Sequence, residues 1–209
     1  MKFSRSMLST AAALALCASA LPALAQQAVY SFNDGGSAFP SPGDYGTITL
    51  TQNGANVDFS VVLADGFNFV TTGNQNNKAT FSFNGAGVTL TDVTNIMAAG
   101  GGAYSVWAPG ANQPFGQFDF GIYCSDCANG GAGQEADPLT FTVLNSMLGD
   151  FASFSTGGAY FAADVISGST TGAVGSTVVT AVPEPETYAL MLAGLGVVGF
   201  MARRRKQQA

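Results

Sequence analysis

Between Thr47 and Val61 apolar residues occupy every second position, and an Asn-Gly step interrupts them midway. Thr47-Ile48-Thr49-Leu50-Thr51 alternates apolar with hydroxyl side chains, and Val57-Asp58-Phe59-Ser60-Val61 does the same. A period of two sends successive side chains to opposite faces of a strand, so each run buries one face and wets the other. Asn53-Gly54 tolerates positive φ, and the spacing predicts a hairpin. The same period recurs at Phe67 and Phe69, Phe81 and Phe83, Phe118 to Ile122 and Leu139 to Val143, and Tyr160 to Ile166 is a further candidate strand. Glycine- and asparagine-rich turns separate these runs. The pattern predicts an all-β chain whose body, residues 26–180, is a single antiparallel β-sandwich or jelly-roll-like domain. The phenylalanines are its expected filling. Leu144 to Phe151 is expected to form one short helix. Val174 to Ala181 reads as a last strand or the start of a linker, and Pro183 marks the domain boundary.

Composition narrows the chemistry. The chain has 27 glycines, only 10% charged residues and no histidine. Lacking histidine removes the commonest general base, the commonest zinc ligand and every Ser-His or Cys-His pair. Charge is sorted by position: Lys2 and Arg5 lie at one end, Arg203, Arg204, Arg205 and Lys206 at the other, and only Lys78 between them. From Asp34 to Asp164 there are eleven acidic residues against that one lysine. A body so acidic repels phosphate backbones, which argues against nucleic-acid binding. An enzyme is not expected.

The ends read as addresses. Residues 1–25 have a basic start, an Ala- and Leu-rich run from Met7 to Leu21, and Ala23-Leu24-Ala25 as a cleavage site for signal peptidase, so the mature chain is expected to begin at Gln26. At the other end, Val182-Pro183-Glu184-Pro185-Glu186 leads into an apolar run from Tyr188 to Ala202, and Arg203-Arg204-Arg205-Lys206 follows at once. As a helix that run spans roughly 22 Å, a marginal membrane crossing. The basic cluster would stay cytoplasmic and the acidic body outside.

Pro183-Glu184-Pro185, a short apolar helix and a terminal arginine cluster in that order closely resemble the PEP-CTERM sorting signal of Gram-negative bacteria, here over 181–209. The resemblance implies processing by exosortase, a membrane transpeptidase. It implies a body that is periplasmic while transiently held in the inner membrane and is finally delivered to the cell surface or extracellular matrix. Proteins of this class accompany exopolysaccharide and biofilm formation, so a structural or adhesive role beside extracellular polysaccharide is expected. The body is also similar to other members of this sorting class in Tyr45 to Val61, Phe118 to Ile122, Cys124-x-x-Cys127 and Pro138 to Val143.

Three readings compete for Cys124-Ser125-Asp126-Cys127. A redox pair usually opens a helix in a βαβ unit, whereas a strand precedes this one and a glycine-rich loop follows it. A zinc site needs two more ligands of a kind the mature chain lacks. A structural disulfide needs only an oxidising compartment, which export supplies, and is the expectation. No cofactor is expected, with one exception. Asp126, Glu135 and Asp137, together with Asn129, offer oxygen ligands for Ca²⁺. Asp119, Asp126, Glu135, Asp137 and Asp164 are the carboxylates that a glycoside-cleaving pair would have to draw on. The alternatives to a structural role are therefore a glycan- or calcium-binding module and a matrix-acting hydrolase.

Overall fold

The computed structural model describes residues 26–72, 79–128, 130–133 and 136–180, together with 192 and 194–196. Among these residues fourteen strands build two antiparallel sheets and a small hairpin. The first sheet runs, edge to edge, β14 (Val178–Thr180), β1 (Gln27–Ser31), β2 (Gly46–Asn53), β3 (Asn56–Leu63), β11 (Leu139–Val143) and β6 (Val93–Ala98). The second runs β13 (Thr170–Ser176), β12 (Phe161–Ser167), β5 (Phe81–Phe83), β10 (Phe120–Cys124) and β7 (Tyr104–Trp107), with β4 (Asn68–Phe69) beside β12. The body is all-β. The sheets are joined at both margins by consecutive strands, β6 to β7 on one side and β13 to β14 on the other.

The alternation read from the sequence becomes the core. Ile48 and Leu50 of β2, Val57, Phe59 and Val61 of β3, and Leu139, Phe141 and Val143 of β11 are buried, while the hydroxyl residues between them face out. Phe59 stacks on Phe141 at 4.4 Å, and both reach across to the second sheet, Phe59 to Phe83 at 5.7 Å and Phe141 to Phe83 at 5.3 Å. Tyr30 meets Phe161 edge to face at 4.7 Å. One shared cluster therefore holds the two sheets together.

The hairpin forms with a detail that the sequence left open. Asn53 pairs with Asn56 as the last rung, so the loop is Gly54-Ala55, and Gly54 alone takes positive φ, +61°. Glycine at the first central position is one of the two favoured ways to close a two-residue loop. The run from Phe118 to Ile122 is not one strand: β9 (Gln117–Phe118) pairs with β8 (Gly110–Ala111), and β10 starts after Asp119. The expected helix is a single 3-10 turn, Leu148–Phe151, and Val174 to Thr180 divides between β13 and β14.

The second sheet is covered on its other face as well. The β8–β9 hairpin lies over it, carrying Phe115 and Phe118 onto Ala159, Ala162 and Ala173. Asn112, fully buried, donates its amide to Ala79 O at 2.9 Å and to Ser82 Oγ at 3.0 Å. Gly175 makes room for Phe115; a Cβ there would enter the ring. Burial on both faces explains why β12 reads Phe-Ala-Ala-Asp-Val-Ile without polar alternation.

Candidate functional site

β14 is the edge strand of its sheet and has one neighbour, β1, which it meets through Val29 with Thr180, Tyr30 with Val179 and Ser31 with Val178. The strands are antiparallel, so the first and last strands of the body leave it side by side at the same end. Thr177, the one residue between β13 and β14, is gripped by Asn33. Its N–H donates to Asn33 Oδ1 at 2.9 Å, and its hydroxyl accepts from Asn33 Nδ2 at 2.8 Å. The two residues are 144 positions apart, so no local pattern announces the clasp.

The cysteine loop follows β10. Cys124 and Cys127 have Cα atoms 5.4 Å apart, inside the range a disulfide accepts. The loop is tied to the preceding connection: Ser125 N–H donates to Ala103 O at 2.7 Å, and Ala103 N–H donates to Asp126 Oδ1 at 2.7 Å. Gly102, at φ +88°, lies against both sulfurs, and a Cβ there would come within 3.0 Å of Cys124 Sγ.

The described candidate carboxylates engage different backbone N–H groups. Asp119 Oδ2 accepts from Gly85 N–H at 3.1 Å, Asp137 Oδ2 from Leu63 N–H at 3.1 Å and Asp164 Oδ2 from Thr72 N–H at 2.8 Å. Asp164 is fully buried in β12. Among the described residues the one trio of possible metal ligands is Cys124, Asp126 and Cys127, and Asp137 is not in it. Glu135 and Asn129, also named as calcium ligands, lie outside the described residues.

A cleft of about 780 Å³ opens between the turn Gly85 to Leu90 and the hairpin residues Pro109, Gln117 and Asp119. Asp119, an exposed lining residue, is fixed by Gly85 N–H and by its own N–H, which donates to Asn84 Oδ1 at 2.9 Å. Asn84 is itself anchored to Ser153 O at 3.1 Å.

Beyond Thr180 the chain is read from its sequence, and residues 181–206 match the family model of the PEP-CTERM protein-sorting motif. The chain carries a PEP-CTERM sorting motif. The match takes in Pro183, Glu184, Pro185 and Arg203 to Arg205, all of which lie outside the described residues. It begins at the residue that follows β14. A PEP-CTERM motif implies export, transit through the membrane and exosortase processing. The match does not extend into the two sheets, and no curated protein or solved structure matches the chain. Among the described residues no helix is long and apolar enough to cross a membrane, and of the apolar run only 192 and 194–196 are described, as helix. Ala23 and Ala25 of the expected signal cleavage site also lie outside the described residues. Gln26, the expected new N-terminus, is exposed, and its carbonyl accepts from Gln52 N–H at 2.8 Å.

Proposed function

We propose that this chain is an exported structural or adhesive protein of the cell surface or extracellular matrix, working beside exopolysaccharide in biofilm. Signal peptidase releases it after Ala25, the C-terminal segment holds it briefly in the inner membrane, and exosortase processes it at Pro183-Glu184-Pro185. The observation that carries this reading is the PEP-CTERM match at residues 181–206. The body is read as a β-sandwich, because two antiparallel sheets share one aromatic core. The Cys124–Cys127 pair is read as an oxidised staple, suited to a compartment outside the cytoplasm.

A non-catalytic body is supported by the chain's lack of histidine and by the separate duties of Asp119, Asp126, Asp137 and Asp164, each engaged by a different backbone N–H. Hydrolysis of a glycoside needs two carboxyls flanking one bond. The cleft at Asp119 favours glycan binding as a second reading, since a pinned carboxylate beside glycine backbone can accept sugar hydroxyls. A glycan array in which Asp119→Ala loses signal supports it, and an array blank with the intact body removes it. Calcium is tested by titration calorimetry, and a flat trace at millimolar Ca²⁺ ends that proposal.

Intact mass of the protein from its native cells tests the main reading. The expected species starts at Gln26, lacks Tyr188 to Ala209 and is two hydrogens short. A mass that retains Tyr188 to Ala209 means a permanent anchor. Deleting the sorting transpeptidase is expected to leave the protein in the membrane fraction, and no difference between strains defeats the sorting claim.

A further inference from the structure

The sorting motif starts at residue 181, and β14 ends at Thr180. No spacer separates the folded body from the segment a membrane enzyme must handle. From Thr180 to Pro183 an extended chain reaches only about 10 Å. A body of this length has a radius of gyration of about 15 Å, so it is wider than its own tether is long. A peptidase takes its substrate as an extended strand through main-chain hydrogen bonds, which requires slack on both sides of the scissile bond.

The described strands show where slack is available. β14 is a short edge strand held by a single ladder, whereas β13 pairs with β12 through seven consecutive residues, Phe161 with Ser176 to Ser167 with Thr170. Between them stands the Asn33 clasp on Thr177. Peeling Val178, Val179 and Thr180 from β1 adds about another 10 Å of reach, doubling the tether, and opens no part of β13. The clasp is the natural stop.

Building on the sorting function proposed above, we infer that β14 is releasable slack, which gives the sorting transpeptidase the reach it needs. The strand lies on β1 in the finished body and is peeled away, back to Thr177, while the anchor is being processed. Asn33 is a positioning residue: it holds the root of the released strip so that peeling does not spread into β13.

Val29 and Thr180 are directly opposed, and such pairs have Cα separations of about 4.5–5.5 Å, within reach of a disulfide. The test is a pulse-chase of the full chain in cells that carry the transpeptidase, comparing wild type, Val29→Cys, Thr180→Cys and the double variant. A companion to the double variant carries four Gly-Ser residues inserted after Thr180. Oxidation of the double variant is expected to slow anchor removal at least roughly tenfold, with the single variants unchanged and the spacer restoring the rate to within about twofold. Processing of the oxidised double variant at the wild-type rate overturns the inference. So does failure of the spacer to restore it, since the block then has another cause than reach. Retention of the wild-type chain itself instead overturns the sorting reading on which this one rests.

Discussion

At the scale of single residues, aromatic contact and hydrogen-bond capture dominate. Phe141 stacks on Phe59 and touches Phe81 and Phe83, which joins the sheets from the middle of β11. Phe141→Ala removes a ring from a packed interior and is expected to cost about 3–5 kcal/mol in urea unfolding. A loss under 1 kcal/mol means that the neighbouring rings refill the space. Asp92 behaves differently because it is a half-buried charge at the surface. Thr89 donates its hydroxyl to Asp92 Oδ2 at 2.6 Å and its N–H at 2.9 Å, and this capture holds the Asp92 carboxyl below its ordinary range, the hydroxyl contributing most. A lowered folded pKa favours the folded state at neutral pH, and that advantage disappears as pH falls through it. Asp92→Asn is therefore expected to melt lower than wild type at neutral pH, with the gap closing in strong acid. A gap independent of pH assigns the effect to something other than the charge. The Asn33 and Thr177 partners, like the Asn112 network, were not legible in the sequence, because their contacts join positions far apart in the chain.

At the scale of elements, period-two runs were read correctly wherever a strand has one wet face, as in β2, β3 and β11. The reading failed where that premise fails. β6 is half-buried and irregular, with Asn95 at φ +53° and a register shift against β11, so its alternation is blurred. Phe118 to Ile122 alternates across a break, because Phe118 packs in the covering hairpin while Phe120 and Ile122 enter the central core. That hairpin depends on close approach. Gly175→Val places a branched side chain where the Phe115 ring sits. Overpacking of this kind is expected to cost about 1–3 kcal/mol and to loosen the hairpin first. Hydrogen exchange checks this: Gln117 N–H, now donating to Thr156 Oγ1 at 2.8 Å, should lose protection before the amides of β3 do. Equal loss in both places shows that hairpin and core unfold as one unit.

At the scale of the whole molecule, the shared aromatic core stabilises the body far more than the proposed Cys124–Cys127 cross-link would. A cross-link that closes so short a loop restrains the unfolded chain weakly, worth about 2 kcal/mol. Mild reduction is expected to lower the melting temperature by only about 4–8 °C and to leave the sheets intact, as read by far-ultraviolet circular dichroism. Collapse on reduction gives the pair a larger part in the fold.

What the sequence determined by itself were properties written locally or linearly. The PEP-CTERM address is a string of neighbouring residues and needs no fold to be recognised. The all-β class follows from a two-residue period, and the acidity of the body from a count. Tertiary structure alone decided which strands became neighbours, that the first and last strands of the body lie side by side, and that Asp119, Asp137 and Asp164 serve separate backbone N–H groups. Those outcomes depend on which apolar faces bury one another, a choice made among all strands at once, and no window along the chain contains it.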